Sequence, residues 1–499
     1  MAAVKYEDLS AAFDFVSVAA PMEPTRRAHG TILSRWRRGS FGTLTFKYQF
    51  ARNMMRLPRI SSPATFAVVI ALAVAAAPFA AQFPTPSPLD AGASDPVAMG
   101  WMIGAPPPPE KLIRFSDGSW FRFPQTRWSL SHIRQLMPTS VVRRGSGPST
   151  TLTKAERTDI DALTFQPIGR AESMTWAQSL AANYTDGILI LHRGRIAYER
   201  YFGALAADRQ HLAFSVTKSF VATLAATLIA EGALDDGATV VSYLPELRSS
   251  AVGDATIRQL MDMTTGLDYT EDYADPTSPV WELSRAGGFL ARPTDYRGPE
   301  SFFDYLKTLK KSNAHGEKFA YKTVNTDALG AVLRRVTGKS LSELLRERIF
   351  SRLGAEYDAF VTVDSTGAEF AGGGLNLTLR DLARFGELMR LAGRFNGQQI
   401  VPKAVVDDIR KGGDRALFAP AGYKTLPGWS YRSMWWISHN ERGAFTARGI
   451  HGQAIYVDPT AEVVIVRFAS HPLAANVNLD PTSLPAYEAV ARHLMGRPR

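Results

Sequence analysis

A serine and a lysine three residues apart, Ser215 and Lys218, head the apolar run Val221 to Ile229. In a helix that spacing sets both side chains on the same side of the first turn. A serine hydroxyl is a weak nucleophile at neutral pH. A lysine partly desolvated against an apolar face loses basicity and can accept the serine proton, and the positive end of the helix favours the developing alkoxide. The plain alternative is a helix-capping serine with a solvated lysine one turn on. Against it, no other serine in the chain has a lysine three positions later, Phe214 and Phe220 flank the pair, and no charge follows until Glu231.

A Ser/Lys centre also needs a group that hands a proton to the leaving group, and donors for the tetrahedral oxyanion. Tyr321, just ahead of a helical pattern in Phe319-Ala320-Tyr321-Lys322-Thr323, is the candidate carrier. Taken alone, a tyrosine there is ordinarily a packing residue, as His451 would be a hydrogen-bonded structural one. The oxyanion donors are expected to be the Ser215 N–H and one from the strand near His451 to Ala454. The chain has no cysteine, and Asp262 and Asp268 stand too isolated to be metal ligands, so neither metal nor cofactor is expected. There is no His-Glu-x-x-His, Gly-x-Ser-x-Gly or Gly-x-x-x-x-Gly-Lys, which removes zincins, α/β-hydrolases and P-loop enzymes.

The elements that must hold these groups follow from the pattern. Gly187–Leu191 and Ile196–Phe202 read as a hairpin, followed by the helix from Ser215 to about Glu231. The middle is helical: Thr256–Met263, Phe302–Lys310, Thr326–Thr337, Leu341–Leu353 and Leu379–Ala392. Strands return at Ala454–Asp458 and Glu462–Phe468, before a closing helix from Leu484 to Met495. Strands at both ends of a helical middle imply one α+β unit whose sheet is completed by distant parts of the chain.

Ahead of that unit, residues 1–60 carry ten Lys/Arg against four Asp/Glu, so they hold +6 of the net +10. The rest is nearly balanced, and nucleic acid is not an expected partner. The expected division is a basic extension over 1–63, possession of a signal peptide or membrane anchor over 64–83, a linker over 84–99 and a hydrolase domain over 100–499. The apolar stretch 64–81 after a basic flank predicts an exported, periplasmic or inner-membrane-anchored protein, or a cytoplasmic one if that stretch is no signal. The aromatic-rich segment with Trp101, Trp120 and Trp128 after four prolines reads as an ordered arm packed on the body.

Ser215-x-x-Lys218, with a Tyr-x-Asn/Ser-like element about a hundred residues later, resembles the class C β-lactamase and D-alanyl-D-alanine peptidase superfamily. Gly100-Trp101-Met102, Met263 to Tyr273 and Gly449 to Pro459 resemble 6-aminohexanoate-dimer hydrolases within it. The resemblance spans roughly 100–495. It implies a β-lactamase/transpeptidase-like α+β fold, an antiparallel sheet flanked by helices beside a mainly helical lobe. It makes Ser215 the acyl-forming nucleophile, Lys218 its proton acceptor and Tyr321 the shuttle. Thr323 falls where the β-lactamases have asparagine, and no Lys-Thr-Gly occurs. The strand-edge element becomes Gly449-Ile450-His451-Gly452-Gln453, so His451, Gly452, Gln453, Ala454, Thr323 and Tyr269 are the expected substrate-binding residues. The implied activity is cleavage of a small-molecule or peptide-like amide or ester. D-Ala peptidase, esterase or β-lactamase action on the same site, and non-catalytic peptide or peptidoglycan binding, remain alternatives.

Overall fold

The computed structural model describes residues 88–496. A seven-stranded sheet runs, in spatial order, Ser430–Arg432, Trp435–Ile437, Phe445–Gly449, Gln453–Asp458, Val463–Ala469, Thr185–His192 and Arg195–Tyr201. Every neighbour pair is antiparallel. The hairpin over 185–201 thus completes a sheet whose other strands lie more than 200 residues on.

Successive side chains of a strand point to opposite faces, and here both faces are covered. Leu189, Leu191, Ile455, Val457, Val464 and Val466 belong to one core, while Ile188, Ile190, Tyr456, Val463 and Ile465 belong to the other. That is why these strands read as continuous apolar runs rather than as alternation. The helix Leu379–Arg390 packs on the first face, and the closing helix Asp480–Met495 with Trp176 packs on the second. The helical lobe joins the first core through Val216–Ala230 and Thr323–Thr337, which pack on each other.

Several boundaries differ from the sequence reading for local reasons. The helix expected from Thr326 begins at Thr323, whose N–H is bonded by the carboxylate of Glu271. The run expected as one helix over Leu341–Leu353 opens into a π turn at Arg346–Phe350. A second sheet joins Thr139–Val142, Ala359–Thr362, Leu375–Leu377 and His211–Leu212. The tryptophan arm is packed as expected: Trp120 is fully buried, edge to face with Phe289 at 5.0 Å between ring centroids. From Leu89 onward the expected linker is part of the body, since Tyr184 donates to the Leu89 carbonyl at 2.7 Å and Ser94 is buried.

The expectation of an inner-membrane-anchored protein is corrected: among the described residues, no helix is long and apolar enough to cross a membrane. The 64–81 stretch on which it rested, and the 1–63 extension, lie outside the described residues.

Candidate active site

Ser215 directly precedes the helix Val216–Ala230 and makes no side-chain capping bond, so its hydroxyl is not spent on the helix. The turn that presents it is strained. Phe214 sits at φ 43°, a region costly for residues with a side chain, of order 1–3 kcal/mol. Packing holds it there: Phe121 and Phe289 lie 6.3 Å away between ring centroids, and His451 5.5 Å. Backbone bonds fix both flanks, with Ala213 N–H donating to the Leu375 carbonyl and Leu375 N–H to Thr217 Oγ1. The strand end at Gly449 abuts the same turn. A Cβ there would stand 2.7 Å from the Ala213 carbonyl oxygen, so only glycine fits.

Lys218 is buried and donates from Nζ to Ser215 Oγ at 2.9 Å and to the Gly372 carbonyl at 2.5 Å. The Gly372 N–H in turn donates to Asp327 Oδ1 at 2.9 Å. The backbone of one residue therefore links lysine and aspartate, through its carbonyl on one side and its N–H on the other, and it can approach because residue 372 has no Cβ, which would meet Thr323 Cγ2 at 2.3 Å. Burial lowers the Lys218 pKa, while Glu271 and Asp327 oppose the shift. Burial also raises the Asp327 carboxyl, against the pull of Lys218.

Tyr321 completes the group. Ser215 lies near enough to its hydroxyl to lower its pKa, and the Lys218 ammonium lies 5.1 Å from its ring centroid. Burial, then Glu271, push its pKa well above 10, so it is a neutral phenol near pH 7. Its ring stacks on Trp436 at 5.7 Å, and Arg448 lies 5.2 Å over that indole. Arg448 is itself ion-paired with Asp480.

A cavity of about 40 Å³ opens beside Ser215, walled by Phe121, Phe214, Trp281, Phe289, Phe370 and Ile450, with Thr323 also reaching it. The other expected binding residues stand behind this wall. His451 is buried against Phe121 and Phe214, with Nδ1 bonded to the His471 carbonyl at 2.7 Å and its pKa brought down to about 4 by burial. Gln453 uses its amide nitrogen on the Ile450 and Ala469 carbonyls and its amide oxygen on the Ala469 N–H. Gly452 accepts from Arg467, Ala454 faces the second core, and Tyr269 lies in the first. Sequence reasoning missed Asp327, Gly372 and Phe289. The run Gly372-Gly373-Gly374 was the one available signal, since three glycines mark close backbone approach.

Residues 177–482 match the family model described as Beta-lactamase. The chain belongs to the β-lactamase family. It is 36% identical over 355 residues to a 6-aminohexanoate-dimer hydrolase of Paenarthrobacter ureafaciens, covering 71% of this chain and 88% of that one. A candidate 6-aminohexanoate-dimer hydrolase from Bacillus anthracis superposes with a TM-score of 0.70 at 33% identity, over 76% of this chain and 97% of that one. Esterase EstB of Burkholderia gladioli is 30% identical over 198 residues, 35% of this chain and 47% of that protein. This β-lactamase-family chain is accordingly a serine-type hydrolase that cleaves amides or esters through an acyl-enzyme, related to 6-aminohexanoate-dimer hydrolases.

Proposed function

We propose that Ser215 is the nucleophile of this hydrolase, Lys218 its general base and Tyr321 the neutral carrier that passes the proton to the leaving group. The observation that supports it most is the 2.9 Å contact of Lys218 Nζ with Ser215 Oγ inside a buried site. Attack of Ser215 Oγ on the substrate carbonyl moves its proton to Lys218. Collapse of the tetrahedral intermediate sends a proton through Tyr321 to the departing amine or alcohol, and water then resolves the ester by the reverse path. The oxyanion donors are the N–H groups of Ser215 and Ile450. Ile450 replaces the His451–Ala454 stretch in this role because it lines the cavity with Ser215, at the end of the strand that abuts Ala213.

The substrate is a linear amide or ester rather than a penicillin. A carboxylate clamp needs a free cation at the strand edge, where a charge-assisted hydrogen bond contributes roughly 1.5–3 kcal/mol. His451 is neutral at pH 7 and buried, and Arg448 is taken by Asp480. Side-by-side kcat/KM values at pH 7 should favour p-nitrophenyl acetate over benzylpenicillin by at least tenfold. Faster penicillin turnover would overturn the substrate reading.

A further inference from the structure

The cavity beside Ser215 is both small and uncharged. Its volume of about 40 Å³ is a fraction of the roughly 150 Å³ of an engineered protein cavity that holds a benzene molecule. No Asp, Glu, Lys or Arg lines it. Tyr321 does not line it either, although Lys218 Nζ, 2.9 Å from Ser215 Oγ, lies 5.1 Å from the tyrosine ring centroid. The leaving group of an acyl transfer must lie beside its proton donor. With Tyr321 as that donor, the cavity falls on the opposite side of the reacting carbonyl and receives the acyl part.

We infer that this cavity is an acyl pocket for a short, uncharged group of about two or three carbons, and that Phe289 and Trp281 set its length limit. The inference rests on the Ser215–Lys218–Tyr321 reading above and narrows its substrate class. The Phe289 wall cannot easily yield. Phe289 is buried among Trp120 at 5.0 Å, Phe370 at 5.3 Å and Phe214 at 6.3 Å. The Trp281 indole is tied by its N–H to the Asp275 carbonyl at 2.9 Å. A six-carbon chain therefore has to displace ring atoms in a close-packed interior. A terminal ammonium would meet aromatic faces with no carboxylate on the wall. The nearby Glu271 carboxylate is already engaged by the Tyr273 hydroxyl at 2.6 Å and by the Thr323 N–H.

The test keeps one leaving group and varies the acyl chain. p-Nitrophenyl esters of acetic, butyric, hexanoic and 6-aminohexanoic acids are compared by kcat/KM on the full chain and on Phe289→Ala and Trp281→Ala. The wild type should lose at least tenfold from acetate to hexanoate, with the 6-aminohexanoyl ester lowest. Phe289→Ala should raise the hexanoate-to-acetate ratio at least tenfold. Should that variant fail to fold, Trp281→Ala, at a partly exposed position, should raise the same ratio. Equal or better turnover of the hexanoyl or 6-aminohexanoyl ester by the wild type, or an unchanged ratio in the folded variants, overturns the inference while leaving the catalytic reading standing. No turnover of any of the four esters by the wild type overturns both.

Discussion

Two buried aspartates in this hydrolase have opposite surroundings. Asp186 has both oxygens satisfied: Arg127 donates to one at 2.9 Å, and Ser470 at 2.6 Å and His211 at 3.3 Å reach the other. Those four residues come from the tryptophan arm, the strand Thr185–His192, the residue after the strand Val463–Ala469 and the strand His211–Leu212. Asp327 accepts the Gly372 N–H on one oxygen and leaves the other without a hydrogen-bond partner. A satisfied buried charge network rigidifies, whereas an under-satisfied one keeps its field for something else. Here that something is Lys218, whose charged form is favoured by Glu271 and by Asp327, the latter with Gly372 between them. The first region ties elements of the fold together, and the second favours the ammonium form of Lys218.

The largest effect should come from the proposed base. Lys218→Met should lower kcat/KM for p-nitrophenyl acetate by about 10²–10⁴-fold, the usual range for losing a general base, with the fold kept by circular dichroism. Retention of activity within tenfold would remove Lys218 from the chemistry. Asp186→Ala should act through stability instead. Stripping one partner from a buried pair leaves Arg127 uncompensated and costs about 3–5 kcal/mol, read by urea denaturation. A variant as stable as the wild type would show that the arm is not held there.

The smallest and most diagnostic effect belongs to Asp327→Asn, whose amide oxygen can still accept the Gly372 N–H. In the proposed mechanism acylation needs neutral Lys218, so kcat/KM rises with pH through the lysine pKa, which burial already places below its ordinary 10.5. Removing the carboxylate withdraws support from the ammonium form. The pKa then falls further, and the rising limb of the pH profile moves to lower pH. A limb that stays in place, or moves to higher pH, contradicts the division of roles between the two aspartates.

That division could not be read from the chain alone. Ser215 and Lys218 were legible because their relation is local, one helical turn within one apolar run. Tyr321 was legible through its motif. The strands at 185–201 and 453–469 announced themselves by apolar runs buried on both faces. The second sheet did not, because its strands of two to four residues are too short to show a period. Asp327 looks like any polar residue of a helix until the Gly372 peptide, 45 residues away, is laid against it. His451 and Gln453 misled in the other direction. Their side chains carry the right chemistry, but the backbone of the same strand region has already claimed much of their hydrogen-bonding capacity.

The central claim is that one serine forms the acyl-enzyme. Intact-mass spectrometry after a fluorophosphonate probe, followed by peptide mapping, tests it most directly. A single adduct is expected on the peptide containing Ser215, absent from Ser215→Ala, which should unfold at the wild-type temperature because Ser215 makes no capping bond. An adduct on any other residue, or full ester turnover by Ser215→Ala, would contradict the account.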